Sequence, residues 1–509
     1  MDEQARGAAG SKLAAMMFLQ FFVWGAWYVT LGNFMFTSGM AGSIGDAYTV
    51  SPIAALISPF FLGMFADRFF STQRILGVMH LCGAVALAAA GWVGSRPEAS
   101  PGLFVGLLLV HMLCYMPTLG LVNTLSFHHM KDPAREFPRI RLFGTVGWIT
   151  SNVVVSRILH ADNEALPLYI GAGGAVILGL FSFALPNTPP PSKGKRVRVR
   201  DVLGLEALSL LRHPSFLVFL VASMLICIPL AGYYAFAQVF VKQTGFRDPA
   251  FTMSFGQVSE VVFMLVMPLC FARLGVKWML VVGMGAWVLR YALFAGADDA
   301  MAAWMVLGGI LLHGVCYDFF FVTGQVYVDR KAPARIRGQA QGFLVLATLG
   351  IGLGVGAQLF GALVKANTPQ DAGVHVATGD ALREVGEAIR RGDRPAAQVL
   401  AARLDEQEDI VAKLRSALEL AKETGSDAIK AEEDLATATA IHAALVDFAS
   451  AGDPTISGAT KASRTAYMKS TGWPRIWLIP AIAAGVVMLG FAALFRDREA
   501  EATPVGSGA

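Results

Sequence analysis

Long apolar stretches separated by short polar ones run through most of the chain. A block of about 20 apolar residues is long enough to cross a lipid bilayer as a helix. Twelve such blocks are found, at residues 13–36, 44–66, 74–95, 102–127, 139–160, 166–186, 214–241, 250–272, 276–297, 301–328, 335–365 and 474–495. The pattern therefore predicts an all-α membrane protein with twelve transmembrane helices.

Lysine and arginine are concentrated in every second loop. They follow the second, fourth, sixth, eighth and tenth predicted spans, and the loops between are poor in both residues. Because basic loops stay on the cytoplasmic side, both chain termini and the loop 187–213 are predicted to be cytoplasmic. The first apolar block, from Leu13 to Phe36, is too long for a signal peptide and predicts a retained span.

The basic loop 187–213 divides the predicted spans into two sets of six. Residues 1–186 form the predicted N-terminal half, and residues 214–365 with 474–495 form the C-terminal half. Residues 496–509 are predicted to be a cytoplasmic tail. Two six-helix halves around a site near the bilayer midplane are typical of secondary transporters.

A polar segment at 366–473 interrupts the second half, between the last two predicted spans. It holds seventeen acidic residues against twelve lysines and arginines, and its apolar residues recur at helical spacing. We expect a periplasmic insert of two or three amphipathic helices, with Gly425 and Ser426 available for a turn. An inert lid and a gating or partner-binding cap both remain open.

Composition narrows the class of protein further. Hydrophobic residues make up 55% of the chain and charged residues 15%, against about a quarter in soluble domains. The net charge of +4 is small, so nucleic acid is not a predicted partner. The five cysteines lie in apolar blocks without a CxxC spacing, which argues against a disulfide framework or a zinc site. Because catalytic motifs are also missing, we predict a protein that is not an enzyme and needs no metal or cofactor other than the proton.

Four ionisable residues stand out inside predicted spans: Arg141, Glu260, Arg290 and Asp318. A charge at the centre of a membrane helix costs roughly 2.5–3.5 kcal/mol on insertion scales, so such residues are candidates for function. Glu260 and Arg290 lie at depths of ~15 and ~12 Å on neighbouring spans, which predicts a structural ion pair. Gln257 lies one turn before Glu260, and the two together are typical of a polar-substrate site.

Asp318 lies near the middle of the tenth predicted span. In a regular helix it shares one face with Gly314 and Gln325, and this face is expected to line a cavity. A carboxyl group balanced between burial and a nearby arginine can gain and lose a proton during transport. The alternative is an acid that is permanently paired in helix packing. His313 and Tyr317 share a different face, roughly 100–140° away.

Several motifs together resemble one known family. They are MFLQFFVWGAWYVTLGNFM (17–35), YMPTLGLVNTLSFHHM (115–130), FPRIRLFGTVGW (137–148), QVSE (257–260), WVLRYALFAG (287–296), YDFF (317–320) and RGQAQGF (337–343). In this order they resemble the nucleoside:proton symporters of the major facilitator superfamily. The segment GMFADRFFSTQR (63–74) is similar to a cytoplasmic loop motif of that superfamily.

The resemblance implies a major facilitator fold and assigns roles to residues. It implies substrate contacts for Arg141, Thr145 and Trp148, and for the pair Gln257 and Glu260. It implies proton coupling for Asp318, and the alternating-access mechanism that we expect adds Glu260 as a second candidate. Tyr317 stands where an aromatic residue is expected beside the acid, and Tyr234 stands where the family can present an amide. The predicted substrate site consists of eight residues: Asn123, Arg141, Thr145, Trp148, Tyr234, Gln257, Glu260 and Tyr317.

Two alternatives remain open at this point. Oligosaccharide:proton symporters have a similar fifth span, but they pair its arginine with an acid at the position that Asn123 occupies here. The second alternative is a non-transporting membrane sensor or scaffold, in which residues 366–473 bind a partner. We expect a monomeric, multi-pass protein of the bacterial inner membrane that imports nucleosides with protons by alternating access.

Overall fold

The computed structural model describes residues 3–61, 71–130, 133–189, 205–297, 302–333, 336–369, 371–392, 395–424, 428–450 and 455–496. Regular structure in these ranges is helical throughout, which confirms the all-α prediction. Eight helices in the described part are long and apolar enough to cross a membrane. The shorter helix Leu166–Ser182 is also apolar. The chain is therefore a multi-pass membrane protein.

Helices follow the predicted spans in order through the first part of the chain. They are α1 (Glu3–Tyr28), α2 (Leu31–Thr37), α3 (Ile44–Phe61), α4 (Thr72–Gly94), α5 (Pro101–His129), α6 (Pro133–Asn152) and α7 (Leu166–Ser182). A π-helical segment, Val153–Ile158, extends α6. The start of α5 shows how the local sequence sets a boundary, because Ser100 caps the backbone N–H of Leu103 and Pro101 occupies the first turn. The basic run 193–200 and most of the loop motif 63–74 lie outside the described residues.

The next helices are less regular. They are α8 (Pro214–Gln243), α9 (Pro249–Ala295), α10 (Ala302–Leu311), α11 (His313–Tyr317), α12 (Thr323–Lys331), α13 (Arg337–Val345) and α14 (Leu353–Ala366). The long α9 contains two predicted spans, and Gly275 interrupts it with a φ of 66°. Two π-helical segments, Asp318–Val322 and Leu346–Gly352, join α11 to α12 and α13 to α14.

The described residues of the polar segment 366–473 form four helices, where two or three were predicted. They are α15 (Ala372–Arg391), α16 (Ala396–Thr424), α17 (Ala428–Ser450) and α18 (Ile456–Ser470), followed by the apolar α19 (Trp473–Leu494). The predicted turn at Gly425 and Ser426 lies outside the described residues. The four helices share a small apolar core that includes Leu382, Leu445 and Phe448.

The segment contacts the end of α8 through polar side chains. Lys242 Nζ lies 4.0 Å from Asp380 Oδ1, and the hydroxyl of Tyr467 donates a hydrogen bond to the same oxygen. Burial raises the pKa of the Tyr467 phenol, so the hydroxyl keeps its proton and remains a donor. The indole N–H of Trp473 donates to the side-chain oxygen of Gln243. The Lys242–Asp380 contact joins the insert to α8, and Trp473 joins the same end of α8 to the helix that follows the insert.

Glycine allows α1 and α6 to approach closely. A methyl group at Gly147 would overlap the carbonyl oxygen of Phe18 on α1. This contact sets the position of α6 and therefore of the neighbouring Trp148, which lines the central cavity. Close backbone approach at small residues is a common way to pack membrane helices.

The Gly147→Ala variant should be less stable than the parent protein. Forcing a methyl group into a packed interface costs about 1–3 kcal/mol, so we expect a lower melting temperature in detergent. Gly173→Ala is the matched control, because no other group lies within 4 Å of the added methyl group. Equal melting temperatures for the two variants would contradict the close contact.

Candidate functional site

A cavity of about 470 Å³ lies between the helices before residue 190 and those after residue 204. Its size falls in the range of small-molecule sites, about 300–1,000 Å³. All eight residues predicted to contact substrate line it: Asn123, Arg141, Thr145, Trp148, Tyr234, Gln257, Glu260 and Tyr317. They come from α5, α6, α8, α9 and α11, so tertiary packing brings distant parts of the sequence together.

The wall formed by α1 and α6 is aromatic and positively charged. The guanidinium carbon of Arg141 lies 4.1 Å from the ring centroid of Phe21, a separation typical of a cation–π contact. Trp24 and Trp148 meet edge to face, with ring centroids 5.6 Å apart. On such a wall the aromatic side chains can contact the face of a planar ligand ring, and the cation can contact the polar edge of that ring.

The opposite wall carries the hydrogen-bonding side chains. Gln257 and Glu260 lie one turn apart on α9, and His313 and Tyr317 lie one turn apart on α11. The rings of His313 and Tyr317 are stacked, with centroids 5.8 Å apart. Glu260 interacts electrostatically with Arg141 on the facing wall. The cavity therefore has an acidic side and a basic side.

Arg290 does not pair directly with Glu260, in contrast to the prediction from their depths. Its Nε donates to the carbonyl oxygen of Gly309 at 3.0 Å, and its Nη2 lies 3.2 Å from His313 Nδ1. His313 Nε2 in turn lies 4.0 Å from Glu260 Oε2. Among the ion pairs of the described residues, none joins Arg290 to a carboxylate. The sequence predicts how deep a residue lies along a helix axis. It does not predict the rotation of the helix about that axis, which here places His313 between Glu260 and Arg290.

Asp318 is buried beside the cavity rather than lining it. Its side chain is inaccessible to solvent, and neither carboxyl oxygen has a hydrogen-bond partner in the described part of the chain. Gln325, predicted on the same face, does line the cavity. The prediction assumed an unbroken α-helix, whereas the chain breaks at Leu312 and forms a π-helical segment from Asp318. Because π turns change the rotation per residue, the face with His313 and Tyr317 meets the cavity instead.

Comparison with known proteins places the chain in a family. The sequence model described as nucleoside H+ symporter matches residues 8–378. The chain belongs to the nucleoside H+ symporter family. The putative nucleoside transporter YegT of Escherichia coli K12 is 42% identical over 364 residues, which are 70% of this chain and 84% of that protein. The nucleoside permease NupG of the same strain is 34% identical over 375 residues, 70% of this chain and 88% of NupG.

Solved structures agree with the sequence comparison. A crystal structure of the nucleoside transporter NupG matches with a TM-score of 0.70 at 26% identity, and covers 96% of this chain and 100% of that chain. Family membership makes this chain a proton-coupled nucleoside transporter and not an enzyme. The predictions of family and function are thereby confirmed.

One end of the symporter's cavity is closed by a group of polar residues that the sequence analysis did not single out. We call it the polar lock, and it consists of Ser156, Arg157, His160, Asp162, Gln238 and Asp248. Asp248 accepts from Arg157 Nη1 at 2.7 Å and lies 3.0 Å from His160 Nδ1. Asp162 accepts from Gln238 Nε2 at 2.9 Å and from Ser156 Oγ at 2.7 Å.

Burial raises the pKa of the Asp162 carboxyl, against the effect of its hydrogen bonds. His160 has a φ of 53°, which is uncommon for a residue other than glycine. Strained backbone of this kind tends to occur where surrounding contacts hold the chain in place. Asp162 and Asp248, which accept these hydrogen bonds, lie in loops between predicted spans, where polar residues are usually solvated, so the sequence alone did not indicate the lock.

A second contact closes the same end. Gln358 Nε2 on α14 donates to Asp46 Oδ1 and to Thr49 Oγ1 on α3, each at 2.9 Å. This contact and the polar lock both join residues 3–189 to residues 205–369 by side-chain hydrogen bonds. The structure therefore shows the symporter closed at the end where α6 finishes and α9 begins.

The Asp248→Asn variant should loosen the polar lock. The substitution removes the charge that holds Arg157, so we expect the closed end to open more often. Spin labels on the exposed residues Glu164 and Arg247, in a protein without native cysteines, should report a larger fraction of long distances. Asp409→Asn, on an exposed face of α16, is the control. An unchanged distance distribution would show that the lock does not hold this end.

Proposed function

We propose that the central cavity is the nucleoside site of this symporter, and that Arg141, Thr145, Trp148, Gln257, Glu260, Tyr317, Asn123 and Tyr234 form it. The observation that carries the proposal is the meeting of all eight in one cavity of nucleoside-compatible size.

The two walls suit the two parts of a nucleoside. The base would lie against the aromatic wall, where Trp24, Trp148 and Tyr234 offer ring faces and edges. The ribose hydroxyls would be bound by Gln257 and Glu260, because a carboxylate and an amide both accept from hydroxyl groups. Arg141 and Thr145 would donate to acceptor atoms of the base, which are carbonyl oxygens or ring nitrogens.

Asp318 and Glu260 are the proposed proton carriers. Asp318 has no fixed counter-ion among the described residues, so it can take up a proton without breaking an ion pair. Glu260 interacts electrostatically with Asp318, which offers a way to link substrate binding to proton binding. No additional cofactor is needed in this scheme.

The proposed membrane arrangement follows from the basic loops. It has twelve spans in two halves, 1–186 and 214–365 with 474–495, in the bacterial inner membrane. The termini, the linker 187–213 and the tail 496–509 face the cytoplasm, and the insert 366–473 faces the periplasm. In this arrangement the polar lock lies on the periplasmic side and the cavity opens to the cytoplasm. Uptake by a monomer then requires the lock to open and the opposite end to close.

Sugar transport is the less favoured candidate. Asn123 lines the cavity together with Arg141, and no carboxylate pairs with Arg141 among the described ion pairs. Arg141 therefore stays available for a neutral ligand with carbonyl groups. The deciding experiment is competition for uptake into proteoliposomes with an imposed pH gradient, using nucleosides, free bases and disaccharides. Competition by disaccharides alone would contradict a nucleoside site.

The Glu260→Gln variant should bind nucleosides less tightly. A hydrogen bond to a charged group contributes about 1.5–3 kcal/mol, which corresponds to a roughly 10- to 100-fold change in Kd. Equilibrium binding of radiolabelled uridine and adenosine to purified protein measures the effect. Glu408→Gln, an exposed residue on α16, is the control. Unchanged affinity would remove Glu260 from the proposed site.

The Asp318→Asn variant should lose proton-driven accumulation but keep exchange. One proton moving across 100 mV supplies ~2.3 kcal/mol, or about 50-fold accumulation, and an amide cannot carry that proton. Uptake and counterflow in proteoliposomes separate the two activities. Normal accumulation by the variant would exclude Asp318 from coupling.

A further inference from the structure

His313 lies between the two charged residues of the cavity wall, and the sequence analysis gave it no role. The imidazole is buried, with Nδ1 3.2 Å from Arg290 Nη2 and Nε2 4.0 Å from Glu260 Oε2. It also lines the cavity. A histidine in this position can connect a buried cation to a substrate-facing carboxylate.

The chemistry of arginine decides which ring nitrogen carries the proton. A guanidinium group has only donors, so Nδ1 of His313 must accept the hydrogen bond from Arg290. The proton of the neutral imidazole is then on Nε2, the nitrogen that faces Glu260. His313 thereby presents an N–H group to the carboxylate, and Arg290 maintains that orientation.

Packing holds the ring in this place. The ring of His313 is stacked between Tyr233, with centroids 5.6 Å apart, and Tyr317, with centroids 5.8 Å apart. A methyl group at Gly256 of α9 would lie 3.0 Å from the Cβ of His313. Little room is left for the imidazole to turn away from its two charged neighbours.

The backbone at the start of α11 is held to α9 as well. The hydroxyl of Ser259 donates to the carbonyl oxygen of Leu311 and accepts from the N–H of Gly314 at 3.2 Å. These two bonds satisfy backbone groups where the helix breaks before His313. Because Ser259 is adjacent to Glu260, the same contact fixes His313 and Glu260 relative to each other.

We propose that His313 is a positioning residue for nucleoside binding. Its Nε2–H holds the Glu260 carboxylate in the orientation that receives the ribose hydroxyls, and Arg290 holds His313. At 4.0 Å Nε2 and the carboxylate oxygen are beyond hydrogen-bond distance, and a rotation of the Glu260 side chain brings them into contact when substrate binds. The proposal rests on the proposed role of Glu260 in binding substrate.

Other charged and titratable groups also act on this pair. Glu260 interacts electrostatically with Arg141 on α6 and with Asp318, which follows α11. Arg141 faces the carboxylate from the opposite wall, so the substrate would lie between them. His313 differs from these groups in having Arg290 as a fixed partner behind it.

A double-mutant cycle tests the proposal. The four proteins are the parent, His313→Phe, Glu260→Gln and the double variant, with radiolabelled uridine and adenosine as the probes. Phenylalanine keeps a ring between the two tyrosines but removes the N–H group. We expect His313→Phe to raise the Kd about tenfold in the parent and less than about twofold in the Glu260→Gln background, because residues that act through each other are not additive.

Two amide variants distinguish positioning from packing. In His313→Gln the longer side chain can accept from Arg290 and donate to Glu260, so affinity should return to within about threefold of the parent. In His313→Asn the shorter amide replaces only the Nδ1 side of the ring and cannot reach Glu260. We expect the affinity of His313→Asn for nucleosides to fall as in His313→Phe. The two amide variants also test the proposal if the His313→Phe protein does not fold.

Two outcomes would overturn the proposal in different ways. Equal weakening by His313→Phe in both backgrounds, or equal affinities for the glutamine and asparagine variants, would show that His313 only fills space. Unchanged affinity in Glu260→Gln would instead overturn the proposed substrate site, and the positioning role with it. The first result leaves the proposed function standing.

Discussion

The need to satisfy a buried arginine organises one wall of the transport cavity. Lipid offers no hydrogen-bond partners, so a charged group inside the apolar helices must be satisfied by protein. Arg290 is fully buried and is contacted by the carbonyl oxygen of Gly309, by His313 and by the ring face of Tyr233 at 4.3 Å. These partners belong to two stretches of chain, α8 and the region of α10 and α11, and Arg290 itself lies on α9. Satisfying Arg290 therefore brings α8, α9 and the start of α11 together, and Glu260 comes to the cavity with them.

Irregular helices supply the rest of the site. A straight helix through residues 302–331 would present a different set of side chains to the cavity. The break at Leu312 and the π-helical segment Asp318–Val322 turn His313 and Tyr317 inward and leave Asp318 buried beside them. π-Helical segments are frequent at functional sites, because they place side chains that a regular helix cannot. Here the arrangement separates the proposed substrate-binding surface from the proposed proton carrier.

Closure of one end completes a cavity that alternating access can use. The polar lock joins the helices before residue 190 to those after residue 204, and Gln358 adds a second link from α14 to α3. Hydrogen bonds and an ion pair with Arg157 partly exposed can break and reform at small cost. A close-packed apolar interface would resist such cycling. The opening of the lock and the movement of a proton then become parts of one cycle.

The sequence by itself determined the class of protein, the order and approximate limits of its helices, and the residues that meet in the cavity. Apolar length and the cost of a buried charge are local properties, and family motifs add the side chains from Asn123 to Tyr317. Only the tertiary structure decided that Asp318 lies behind the cavity surface, that His313 separates Glu260 from Arg290, and that Asp248 helps to close one end. These features depend on helix rotation and on contacts between residues far apart in the chain. The periodicity of apolar residues along one helix does not predict them.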